Sequence, residues 1–301
     1  MCGIVGLYLK KPELEDQLGQ LFSPMLIGMS ERGPDSAGIA LYGDPVADGR
    51  LKLTLQHPDM DYDWDGVKKA LETQSGAAVS VDACDNHRTF DVQGDEETLS
   101  QWAEANLPGV TIMSLGQRIV ILKEMGTPQE IVDRFDLTNV KGGHAVGHTR
   151  MATESAVTTA GSHPFSTGQD LCLVHNGSLS NHNRLREVIE RRSSIRFQTE
   201  NDTEVAAGYL TWKLREGMDL DSALEAALED LDGFYTFAIG TADGFAALRD
   251  PIACKPAVLA ETDDWVAMAS EFRSLAHLPG VENAKVWEPE PAKIYTWGRA
   301  A

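Results

Sequence analysis

Short apolar runs of strand-forming residues, each closed by glycine or a turn, cluster at the two ends of this chain. GIVGLYL spans residues 3–9, and ERGPDSAGIALYG turns at Gly33-Pro34-Asp35 before re-entering a strand at 37–42. At the other end come FYTFAIGT, the turn Ala242-Asp243-Gly244, FAALRD, AVLAE, WVAMAS and AKIYTW. Between the ends the spacing turns helical. LEDQLGQLFSPMLIGM sets Leu14, Leu18, Leu21, Phe22, Met25 and Met29 on one helix face, with a break or kink expected near Ser23-Pro24. Further helices are predicted from about Asp202 and over 220–231. Strands at both ends with helices between predict sheets packed on each other and covered by helices. With 301 residues, 42% of them hydrophobic, the chain can bury such a core.

Residues 44–142 have a different texture. An acidic stretch, HPDMDYDWDG, leads into strand-like AAVSVDA and RTFDVQG, helical DEETLSQWAEANL, strand-like RIVILK and helical TPQEIVDRF. This segment reads as a separate α+β insertion. From Gly143 short apolar strands return as HAVGHTR and DLCLVHNGSLS.

No run approaches the roughly 18 apolar residues of a membrane span, and the N-terminus lacks a secretory pattern, so a cytoplasmic protein with no membrane partner is expected. A formal charge of −20 opposes a nucleic-acid partner, whose phosphates need a basic surface. The local exception, Arg184, Arg186, Arg191, Arg192 and Arg196, reads as a solvated helix face and loop, or else as a docking surface for an acidic partner. Cys2, Cys84, Cys172 and Cys254 lack CxxC spacing and are expected as reduced thiols. His144, His148, His163, His175 and His182 lack the HExxH helix of a metal site, so no metal is expected.

Four places could carry chemistry, each beside a plainer reading. Cys2 is either a buried thiol at a strand end or, once Met1 is removed, a nucleophile whose own α-amine is the base. Such an amine titrates near 7.7–8.0, so part of it is free to accept a proton at neutral pH. Asn176-Gly177 is either a hairpin turn or a pair of donors, side-chain amide and backbone N–H, for an oxyanion. Arg150, closing HAVGHTR, is either structural or a bidentate partner for a substrate carboxylate. In NDTE at 201–204, Asn201 or Asp202 caps a helix, or Asp202 meets a substrate ammonium.

Taken together and in order, MCGIVGLY, ERGPDSAGIAL, GHTRMAT, SHPF, VHNGSLSN, NDTE and SEFRSL resemble the successive motifs of class II glutamine amidotransferase domains. That family belongs to the N-terminal nucleophile hydrolases. The resemblance covers about 1–43 and 143–301, and implies an α+β fold, the four-layer αββα sandwich. One domain would then span 1–301, interrupted by the 44–142 insertion. It implies Cys2 as nucleophile, Asn176 and Gly177 as oxyanion hole, Arg150 on the glutamine α-carboxylate and Asp202 on its α-ammonium. Thr153 and His163 would line or support the pocket, and Arg32 would belong to the loop beside the nucleophile. Met151 stands where many relatives have Trp, and Glu154-Ser155 where many have His-Gly, which alters the pocket wall. The insertion has no catalytic counterpart in the family's better-known members.

Amidotransferases couple a glutaminase to a synthase that consumes its ammonia. No sugar-isomerase domain, phosphoribosyl motif or ATP-pyrophosphatase loop occurs here, so a separate synthase subunit is implied. The chain resembles the free-standing amidotransferase subunit of glutamate-synthase-like enzymes such as N-methylglutamate synthase. There the partner chains carry flavin or an iron–sulfur centre, and this chain would need no cofactor. Two alternatives stand beside this: a lone hydrolase of another γ-glutamyl amide, and a catalytically inactive regulatory or binding subunit.

Overall fold

Strands buried on both faces sort their side chains by a period of two between two cores. In Gly3–Leu9, Val5, Leu7 and Leu9 face one core, while Ile4 and Tyr8 face the other. In His144–Arg150, Ala145 and Val146 divide the same way. The computed structural model, which describes residues 2–151 and 157–298, stacks two antiparallel sheets on this basis. One has seven strands in the order Lys285–Trp287, Val258–Glu261, Trp265–Ala269, Gly3–Leu9, His144–Arg150, Ser36–Tyr42, Ile119–Met125. The other has five, in the order Ile294–Gly298, Gly244–Arg249, Gly233–Gly240, Leu171–Leu179, Phe165–Gly168.

Ile4, Tyr8, Ile121 and Val146 from the first sheet meet Cys172, Val174, Ala238 and Phe245 from the second in a shared core. Helices Leu18–Ile27 and Pro128–Arg134 cover the outer face of the first through Phe22, Met25 and Ile131. His182–Arg192, Asp202–Arg215 and Leu220–Asp230 cover the second through Ile189, Leu210 and Leu224. Each fully buried side chain of this size contributes about 1.5–3 kcal/mol. The layers are therefore helix, sheet, sheet, helix: the αββα sandwich.

Two expectations change. The break near Ser23-Pro24 does not occur: Leu18–Ile27 continues through Pro24. The carbonyl that Pro24 cannot satisfy belongs to Gln20, an exposed residue whose backbone water can reach. The segment 44–142 divides in two. Residues 44–117 form their own unit, the antiparallel strands Ser80–Cys84, His87–Gln93, Arg50–Gln56 and Thr111–Gly116 with helices Trp64–Ser75 and Glu96–Asn106. Leu53, Leu55, Leu71, Phe90, Val92 and Leu99 fill its core. From Ile119 the chain rejoins the sandwich: Ile119–Met125 pairs along its whole length with Ser36–Tyr42. The junction is fixed by Asp170, whose carboxylate accepts the backbone N–H groups of Gln117 (2.8 Å), Arg118 (2.8 Å) and Ile119 (3.0 Å). In the arginine-rich stretch, Arg184, Arg191, Arg192 and Arg196 are exposed, while Arg186 lies over the Phe197 ring.

Candidate active site

The alternation that builds the inter-sheet core also aims three polar residues at one end of it. Ile4 faces that core, so Cys2, one period earlier, lies on the same side of its strand. Val146 does likewise, and Arg150 is two periods on. Cys172 and Val174 face it from the second sheet, and Asn176 continues their row. Register joins the first two: Gly3 pairs with Thr149, which sets Cys2 beside Arg150 at the next step.

Both sheets hold Cys2. Its carbonyl accepts from Arg32 Nε at 3.0 Å and from Asn176 Nδ2 at 3.2 Å. Arg32 is buried and pairs through Nη1 with Glu271 Oε1 at 2.7 Å, leaving Nη2 buried without a partner among the described residues. The hydrogen bond from Arg32, with the charge of Arg273, keeps the Glu271 carboxyl below its ordinary range. Ser270, next to Glu271, exchanges hydrogen bonds with Ile4: its Oγ accepts Ile4 N–H at 2.9 Å and its N–H donates to Ile4 O at 3.0 Å. The SEFRSL stretch thus braces the start of the strand Gly3–Leu9. The RGPDS turn packs on the strand of Arg150 so closely that a Cβ on Gly33 would meet Arg150 N at 2.5 Å. Asp35 N–H donates to the Arg150 carbonyl at 3.1 Å.

Asn176-Gly177 does not form a turn. The dipeptide lies inside the strand Leu171–Leu179, with Asn176 opposite Thr236 and Gly177 opposite Tyr235. Tyr235 turns both backbone groups to Asp250, donating its N–H to Oδ1 and accepting Asp250 N–H, each at 3.0 Å. Gly177 therefore sits at a non-hydrogen-bonded position of that ladder, and its N–H points to the opposite edge. The strand Phe165–Gly168 does not reach it there, since its last pair is with Leu173. The Gly177 N–H is thus not consumed by the sheet.

Asp202 opens the helix Asp202–Arg215, and the capping is done by Asn201, whose side chain accepts Thr203 N–H at 2.9 Å. Asp202 Oδ2 instead accepts Leu179 N–H at 2.9 Å, two residues past Gly177 on the same strand edge. Burial by itself would raise this carboxyl. The neighbouring His175 imidazole, with Nδ1 3.7 Å from Asp202 Oδ1, and the Leu179 N–H outweigh that and hold it at about 2, so it is ionised at neutral pH.

Behind these groups lies a buried histidine cluster. His163 Nε2 and His175 Nδ1 meet Thr203 Oγ1 at 2.7 and 3.0 Å. His148 stacks on His163 with ring centroids 4.0 Å apart, and its Nε2 meets the His175 carbonyl at 3.1 Å. His163 is therefore a support beneath Thr203 and Asp202. Thr203, Ser270 and Glu271 carry no individual role in the sequence reading and His175 enters it only as a rejected metal ligand, although the alternation of HAVGHTR already puts His148 and Arg150 on one face. Thr153 lies outside the described residues. Among the described residues no group of three or more His, Cys, Asp or Glu side chains could hold a metal ion, and no helix is long and apolar enough to cross a membrane.

Comparison with known proteins agrees with this frame. A profile of the glutamine amidotransferase domain matches residues 148–277. The glutamine amidotransferase-like protein GlxB of Rhizobium meliloti is 52% identical over 99% of this chain and 98% of its own length. A relative in Methanothermobacter thermautotrophicus is 33% identical over 98% of this chain and 99% of its own. The glutamine phosphoribosylpyrophosphate amidotransferase of B. subtilis shares the fold, with a TM-score of 0.62 at 21% identity. It matches 99% of this chain, which spans only 47% of that longer one. On these full-length relationships the chain belongs to the class II glutamine amidotransferases.

Proposed function

We propose that the chain is a glutaminase subunit that hydrolyses glutamine to glutamate and ammonia and delivers the ammonia to a separate synthase subunit. The reading is carried by the meeting of Cys2 and Asn176 across the two sheets, with Arg150 and Asp202 at the same end. After removal of Met1, the Cys2 α-amine takes the thiol proton and the thiolate attacks the glutamine carboxamide carbon, forming a C–S bond. The oxyanion accepts hydrogen bonds from Asn176 Nδ2 and the Gly177 N–H. One such donor is worth roughly 2.7–4 kcal/mol in the transition state. The C–N bond breaks as the α-amine passes its proton to the leaving ammonia. Water, deprotonated by the same amine, then cleaves the thioester and releases glutamate.

Arg150 holds the substrate α-carboxylate and ionised Asp202 its α-ammonium, so the substrate is a free amino acid. Hydrolysis through a thioester makes no net change of oxidation state, so the chain's own half-reaction calls for no redox cofactor. A flavin or iron–sulfur centre would belong to partner chains of the glutamate synthase or N-methylglutamate synthase type. Similarity to a glutamine amidotransferase-like protein over 99% of this chain supports the glutaminase part of this reading.

Turnover of glutamine should exceed that of larger γ-glutamyl amides, and the chain should co-purify with a synthase subunit. Faster hydrolysis of a larger amide by a chain that purifies alone would replace this reading with that of a lone γ-glutamyl amidohydrolase.

A further inference from the structure

One buried polar bridge between the 44–117 unit and the active-site end of the sandwich has no part in the hydrolysis described above. The turn Asp85-Asn86 joins strands Ser80–Cys84 and His87–Gln93, and the buried Asn86 donates through Nδ2 to Glu124 Oε2 at 2.8 Å. Through Oε1 the same buried carboxylate accepts from Thr159 Oγ1 and, at 2.9 Å, from Met125 N–H. Arg134 pairs with Asp85 and stands with Nη2 3.7 Å from Glu124 Oε2.

Lys123, next to Glu124, points to the opposite face of the strand. Its buried ammonium donates to the carbonyls of Ala160 (3.2 Å), Ser162 (2.7 Å) and Pro164 (3.1 Å). Two adjacent residues thus grip the loop 158–164 from both faces of the sheet. That loop supplies His163 to Thr203, and its Gly161 carbonyl accepts Asn201 Nδ2 at 3.4 Å. A Cβ on Gly161 would lie 3.9 Å from Arg150 Nη1. The loop therefore touches the supports of both groups that hold the amino-acid end of glutamine.

A buried carboxylate shared by two units is kept in place by both partners. Removing either leaves an oxygen desolvated and free to shift toward other donors. We propose that the Asn86–Glu124–Thr159 bridge positions the loop 158–164 against Arg150 and Asp202, so that the 44–117 unit sets the affinity for glutamine. The inference rests on the glutamine reading of Arg150 and Asp202. Asn86, Glu124 and Thr159 act through the loop as positioning residues, and a partner that moves the Asp85-Asn86 turn would alter glutamine binding.

Calorimetric titration of glutamine into the full chain carrying Cys2→Ala reads binding without turnover, with thermal melting recorded alongside. Asn86→Ala should weaken binding by about tenfold at an unchanged melting profile. Thr159→Val should do the same, and Thr159→Ser should keep the affinity. The Asn86→Ala/Thr159→Val double variant should lose less than the product of the two single losses, because both act through one carboxylate. Thr159→Val, nearly isosteric, carries the test if Asn86→Ala fails to fold. Folded variants that bind glutamine as tightly as the Cys2→Ala reference overturn the proposal and leave the glutaminase reading standing. Failure of the reference itself to bind glutamine overturns both.

Discussion

At the scale of single residues, Gly177 is the position where backbone geometry and the proposed chemistry cannot be separated. Its φ of +154° and its packing leave no room for a side chain: a Cβ would meet Phe234 O at 2.0 Å and His175 Nε2 at 2.7 Å. The pressure comes from the neighbouring strand, so glycine is required even though no turn is present. Its N–H shares this strand with Asn176. Gly177→Ala is therefore expected to destabilise the fold by about 2 kcal/mol or more and to lower kcat about 100-fold or more. Denaturant unfolding and steady-state kinetics on the same preparation check this, and unchanged values in both would contradict it.

At the scale of elements, the terminal strands, the helices at 202 and 220, and the two-sheet packing were legible because a period of two or 3.6 survives in short apolar runs. The Cys2, Arg150 and Asn176 convergence was legible only through the order of the motifs. Sequence spacing does not say that Asn176 sits mid-strand, because the Asn-Gly pair that makes a hairpin also makes a close strand contact. The end of the insertion was misplaced for a related reason. RIVILK looks like any other strand, and its pairing with Ser36–Tyr42 is a long-range event with no local signal. Strand Arg50–Gln56 and helix Trp64–Ser75 were hidden behind the charge of the acidic stretch, where Asp63 serves as a cap, accepting Gly66 N–H at 2.9 Å. The Glu124 bridge was invisible in sequence, since its three members lie on separate elements.

At the scale of the whole molecule, the sandwich and the 44–117 unit together bury several histidines in neutral form. Burial lowers His87 and His148 to about 3 and His144 to about 4, and lowers His163 well below its usual value. In the unfolded chain these groups titrate near 6.5. Below that pH the unfolded state binds protons that the folded state does not, so stability falls as pH drops from about 6.5 toward 4. Unfolding at pH 5 should take up about four protons through these residues. A denaturant midpoint that declines between pH 7 and pH 5 is the expected result, and a flat profile over that window would contradict the burial of neutral histidines.

The proposed mechanism rests its chemistry on one chain terminus. Intact-mass measurement of the purified chain, before and after reaction with an electrophilic glutamine analogue, tests this most directly. The expected result is a chain lacking Met1 that gains a single adduct on Cys2 and loses all glutamine hydrolysis in proportion. A chain that hydrolyses glutamine at full rate with Met1 retained, or with Cys2→Ala in place, would contradict it.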